Sequence, residues 1–121
     1  MGEVSERLYI TVVETRPFMA EAERCLSTDE REQFIEYIAC NPTAGAVIRD
    51  TGGVRKVRWG AAGRGKRGGV RVIYYYHSER IPLFLLTVYA KAQKTDLSPK
   101  EKATMRRLVA EIVASYFPKR S

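Results

Sequence analysis

Cysteine is scarce in this sequence: Cys25 and Cys40 are the only two in 121 residues. A disulfide framework uses more, and neither has a His or second Cys at metal-ligand spacing. Both are expected as buried free thiols, with no metal and no other cofactor. Histidine is scarcer still, with His77 alone. No apolar run approaches the ~18 residues a membrane span needs. Met1-Gly2-Glu3-Val4-Ser5-Glu6-Arg7 has neither the basic start nor the apolar stretch of a signal peptide. A cytoplasmic protein with no membrane role is expected. Hydrophobic residues at 45% and charged residues at 29% exclude disorder as the main state. The length suits one domain over residues 1–121.

The sharpest local absence is of acid. Val54 to Arg71 holds seven bases and no Asp or Glu. Residues 1–50 carry five basic and ten acidic side chains, and residues 51–121 carry sixteen and four. A compact protein with such a field attracts polyanions: nucleic acid, an anionic surface or an acidic protein.

Leu8–Val13 is β-branched and aromatic and reads as a strand. Arg16-Pro17-Phe18 reads as a turn, with a short helix over Phe18–Arg24. Ser27 and Glu30 have capping-box spacing, with Leu26 placed as a hydrophobic staple. The helix they open should turn Phe34, Ile35 and Ile38 inward and end near Asn41-Pro42. Ala46-Val47-Ile48 is a short strand candidate, and Asp50-Thr51-Gly52-Gly53 is a turn. Val54–Trp59, Val70–His77 and Leu83–Ala90 are strands with no helix between them, which indicates an antiparallel meander. Ser98-Pro99-Lys100-Glu101 starts a final helix carrying Met105, Leu108, Val109, Ile112, Val113 and Tyr116 on one stripe. The fold class is α+β.

Side chains alternate across a strand. Lys56 and Arg58 therefore share a face, as do Arg71, Ile73 and Tyr75, and Thr87, Tyr89 and Lys91. In an antiparallel meander Arg58, Arg71, Tyr89 and Lys91 meet at one edge of the sheet. Tyr75 and Tyr89, sharing a face with bases, are candidates to stack on an exposed base. Tyr74, Tyr76 and Trp59 are expected in the core, and His77 in a surface or turn role. Gly63 to Gly68 fits the dinucleotide-binding pattern literally, and Gly60 to Arg67 fits a P-loop except at its last place. Both motifs need a helix next, and a strand follows here, so neither applies. The stretch reads instead as a basic hairpin loop offering Arg64, Lys66 and Arg67 to phosphate.

Thr51 to Arg58, the Gly-Arg-Gly-Lys-Arg-Gly-Gly loop, Arg71 to Tyr76, Leu85 to Lys91 and Thr95-Asp96-Leu97-Ser98 together resemble the HigB-type branch of the RelE/ParE toxin superfamily. The resemblance spans roughly residues 30–115. It implies an N-terminal strand and helices, a twisted antiparallel sheet and a C-terminal helix. It implies a type II toxin that enters the ribosomal A site and cleaves mRNA. It also implies a cognate helix-turn-helix antitoxin of HigA type, through which the pair binds operator DNA.

By the same resemblance Lys56, Arg58, Arg71 and Lys91 match the family's basic positions, and Lys94 joins them as a candidate. The implied reaction is attack of an RNA 2′-OH on its adjacent phosphate without a metal. Arg58, Arg71 and Arg67 suit the developing charge, because the guanidinium fork matches phosphate. Lys56 is the candidate base, and Lys91 or Lys94 the candidate acid. Two other functions fit the same bases: a gyrase inhibitor on this scaffold, and a non-catalytic nucleic-acid-binding module.

Overall fold

The computed structural model describes residues 9–60, 69–94 and 96–118. In chain order the elements are β1 (Val12–Glu14), α1 (Arg16–Cys25), α2 (Thr28–Cys40), β2 (Ala46–Val47), β3 (Val54–Trp59), β4 (Val70–Tyr75), β5 (Leu83–Ala90) and α3 (Pro99–Tyr116). The strands form one sheet in the order β1-β5-β4-β3-β2. β3, β4 and β5 make the expected antiparallel meander. β1 adds a parallel edge to β5, so the sheet is mixed.

Both faces of the sheet are covered. Phe18 and Ala22 of α1 and Phe34 and Ile38 of α2 pack with Val70, Val72, Tyr74, Leu83, Leu85 and Val88 on one side. Val109 and Ile112 of α3, with Leu97, pack with Val54, Ile73, Tyr75, Leu86 and Tyr89 on the other. β4 lies in the middle, and all six of its residues are buried. Burying each large apolar side chain contributes ~1.5–3 kcal/mol. The two helical layers differ in charge. α1 and α2 carry Glu21, Glu23, Asp29, Glu30, Glu32 and Glu36, while α3 carries Lys100, Lys102, Arg106 and Arg107.

The structure departs from the sequence-based expectations at several points. Arg16-Pro17-Phe18 is not a turn but the first turn of α1, capped by Thr15. Pro17 is tolerated there because the missing N–H has no helical partner to lose. The Thr15 hydroxyl donates to the Leu85 carbonyl at 2.8 Å, tying α1 to β5. The first strand is confined to Val12–Glu14, because the Ile10 N–H is taken by the Ala39 carbonyl at the end of α2. Leu8 lies outside the described residues. β4 stops at Tyr75, its last pair being with Phe84 of β5. Cys25 and Cys40 are only partly buried, rather than buried. Trp59 is half-buried and meets Phe34 edge-on at 5.3 Å.

The turn leading into β3 fixes the strand carrying most of the bases. Asp50, Gly52 and Gly53 all have positive φ. Thr51, fully buried, donates through its hydroxyl to Ile48 O and accepts from Val54 N. Both ends of α2 and the start of α3 match the reading of their caps, with complete capping boxes at Ser27–Glu30 and Ser98–Glu101.

Candidate active site

Register places the basic residues. Arg58 of β3 pairs with Arg71 of β4, and Arg71 pairs in turn with Tyr89 of β5. Two residues along, Lys56, Ile73 and Thr87 form the next row. Ile73 and Tyr89 belong to the core under α3, so strand alternation puts Lys56, Arg58 and Arg71 on that same face. Arg71 is buried, at 8% exposure, while Arg58 beside it is exposed. The Lys91 N–H donates to the Gly69 carbonyl at 3.2 Å. That bond closes the ends of β4 and β5 together and sets Lys91, which is exposed, at the mouth of the row.

The segment between β5 and α3 brings two carboxylates to these cations. Asp96 Oδ1 lies 2.8 Å from Lys56 Nζ. Glu101 divides its oxygens: Oε1 accepts from the Ser98 N–H at 2.8 Å, and Oε2 lies 2.5 Å from Lys94 Nζ. The Lys94 ammonium also sits 4.9 Å from the centroid of the Tyr89 ring. The hydrogen bond from Lys56 and its charge hold the Asp96 carboxyl below its ordinary range, and Lys102 and Arg71 add to the effect. The bonds from Lys94 and the Ser98 backbone lower Glu101 in the same way. Burial raises the Tyr89 phenol, with the Asp96 charge adding and Arg71 opposing, so it stays protonated at neutral pH.

Lys56, Arg58, Arg71, Lys91 and Lys94 are therefore drawn to one end of the sheet by β3, β4 and the segment after β5. Arg64, Lys66 and Arg67 lie outside the described residues. Tyr75 is 6% exposed under α3, with its hydroxyl 2.8 Å from His77 Nδ1. Tyr89 is 5% exposed and has Lys94 on its ring. Neither ring has an open face for a base, so the stacking expectation for both is corrected: α3 packs where the base was to lie. His77 is exposed beyond the end of β4, its ring 5.4 Å from Phe117.

Asp96 and Glu101 are the residues that sequence reasoning missed as members of this cluster. Glu101 was legible only as a helix cap. The available signal was their rarity, since they are two of four acids in residues 51–121.

A five-stranded sheet between two helical layers, with cations from separate elements gathered at one end, defines a class: a small α+β protein with a cationic sheet end. The particular family follows from comparison. The family model described as RelE toxin of the RelE/RelB toxin-antitoxin system matches residues 20–117. The chain belongs to that toxin family, and membership implies an antitoxin partner. Among the described residues no helix is long and apolar enough to cross a membrane.

Proposed function

We propose that the protein is a ribosome-dependent mRNA endoribonuclease of the HigB-type branch, the residues 1–121 acting as one toxin domain. The observation that carries this reading is the row Arg58, Arg71 and Tyr89 across three strands, with Arg71 buried. A buried guanidinium on a rigid central strand is a preorganised partner for charge that develops on the phosphoryl oxygens. The 2′-oxygen bonds to phosphorus as the bond to the 5′-oxygen breaks. Lys56, in its neutral amine form, takes the 2′ proton, and Lys94 or Lys91, as the ammonium, delivers a proton to the leaving 5′-oxygen. Arg58 and Arg71, joined by Arg67, stabilise the charge between. Arg64 and Lys66 contribute to holding the message.

The basic end of the sheet and the bases of α3 suit docking to a ribosome, and the expected antitoxin is a helix-turn-helix protein of HigA type. The protein would then work in the cytoplasm, where messages are translated. The test is purified protein added to translating ribosomes with a defined message. Cuts leaving a 2′,3′-cyclic phosphate support the reading. Message that is bound but intact refutes it in favour of a binding module. An intact message together with inhibited gyrase refutes it in favour of the gyrase-directed function.

A further inference from the structure

Asp96 stands where an anion belongs. It follows β5 and precedes the Ser98 cap of α3, in the basic half of the chain. Its Oδ1 takes the Lys56 ammonium at 2.8 Å. Lys56 comes from β3, one row from Arg58 and Arg71. Lys102, in the first turns of α3, and Arg71, on β4, also act on this carboxylate by charge. Cations from three separate elements thus bear on one point, and the protein fills that point with its own anion.

The pair is poorly protected. The side chain of Asp96 is 71% exposed and that of Lys56 30%. An ion pair so open to water holds its partners together by no more than about fivefold in equilibrium terms. A phosphodiester that also reaches a buried guanidinium has more to gain there, because charge-assisted fork geometry strengthens its bonds. The contrast with Glu101 is instructive. That carboxylate is anchored through its second oxygen to the Ser98 backbone, so it is fixed in place. Asp96 has no second hydrogen-bond partner among the described residues to hold it in place.

We propose that Asp96 is an internal stand-in for an RNA phosphate: it occupies a phosphodiester subsite formed by Lys56 and its cationic neighbours, and the message must displace it to bind. This deepens the nuclease reading and rests on it for the identity of the ligand. A role for Asp96 as proton acceptor is disfavoured, because a carboxylate held so readily ionised is a weak base. A role in orienting Lys56 makes the opposite prediction for binding, since loss of the carboxylate would then weaken it.

The probe is a fluorescent single-stranded oligonucleotide with 2′-O-methyl sugars, which cannot be cut, titrated with the full chain. Asp96→Asn is compared with wild type and with Glu111→Gln. Glu111 is exposed on α3, ten residues beyond Glu101, and its substitution removes the same charge outside the site. Asp96→Asn should bind about two- to fivefold tighter than Glu111→Gln, as expected for removing one competing surface ion pair. The slope of log affinity against log salt should change by less than about 0.7, the value of one phosphate contact on a single strand, because the same phosphate reaches Lys56 in both proteins. On ribosomes its KM should fall while kcat holds within about twofold, since only ground-state competition is removed.

Binding no tighter than that of Glu111→Gln overturns the proposal, as does a tenfold fall in kcat, which would make Asp96 a positioning residue for Lys56. If Asp96→Asn binds tighter and yet no variant cuts message, the subsite stands and the nuclease reading falls. If message is cut normally and affinity does not move, only the subsite falls. Binding of RNA by neither protein overturns both.

Discussion

Two arginines side by side in one row should differ greatly in catalytic weight, because one is buried and the other is not. At ~4 Å from a developing unit charge, an effective dielectric of ~20 gives about 4 kcal/mol, whereas bulk water gives about 1 kcal/mol. Arg71, at 8% exposure, belongs near the first regime, and exposed Arg58 near the second. Arg71→Ala should therefore slow cleavage about a thousandfold and Arg58→Ala about fivefold, at ~1.4 kcal/mol per factor of ten. Arg71→Lys should recover only part of the loss, since a point charge lacks the fork. The assay is single-turnover cutting of a defined message on saturating ribosomes. Thermal melts run alongside, to show that each variant is folded. Equal losses at the two positions, or a larger loss at Arg58, would refute the claim that burial sets the strength of this site. A well-folded Arg71→Ala protein that cuts within tenfold of wild type would refute it as well.

Other outcomes follow from the packing and the caps. Phe34→Ala, at a fully buried position under the sheet, should cost about 3–5 kcal/mol in urea unfolding. Tyr74→Phe removes a hydroxyl that accepts from the Gly45 N–H and donates to the Pro42 carbonyl, both at 2.8 Å. It should cost about 1–3 kcal/mol by the same measurement, because the buried Gly45 N–H loses its partner. Ser98→Ala should lower stability by about 1 kcal/mol through loss of the α3 cap. Glu101 has a carboxyl lowered below its ordinary value of 4.5 by Lys94 and Ser98. Its contribution is complete above that value and disappears as pH falls through the lower native one. Melts from pH 6 downward should therefore fall less steeply for Glu101→Gln than for wild type, and identical slopes would refute the link.

Much of this arrangement could be read from residue order. Strand alternation in Val54–Trp59 and Val70–Tyr75, with short connections, gave the row Arg58, Arg71 and Tyr89. A register shift opposite Ile73 and Tyr74 breaks the period in β5, so Leu85 and Val88 share one face and Leu86 and Tyr89 the other, which no local signal announced. Caps such as Ser98-Pro99 are local chemistry and carry their own signal. What eluded sequence reasoning was tertiary. Tyr75 and Tyr89 share a face with bases, but that face is roofed by α3, and nothing local says on which side a helix will pack. The parallel pairing of β1 depends on where α1 and α2 return the chain. The carboxylates Asp96 and Glu101 reach the lysines across 40 and seven positions of sequence, and no spacing rule links them.

The uneven placement of charge has a consequence for encounter. With acid concentrated on the α1 and α2 layer and base on the sheet end and α3, the protein is a dipole as well as a cation. A large polyanion exerts a torque on such a body before touching it, so collisions by the wrong side are turned rather than merely wasted. That alignment acts within a Debye length, ~8 Å at physiological salt. Arrival at a polyanionic surface is then already oriented, with the cationic end leading and the acidic helices trailing outward.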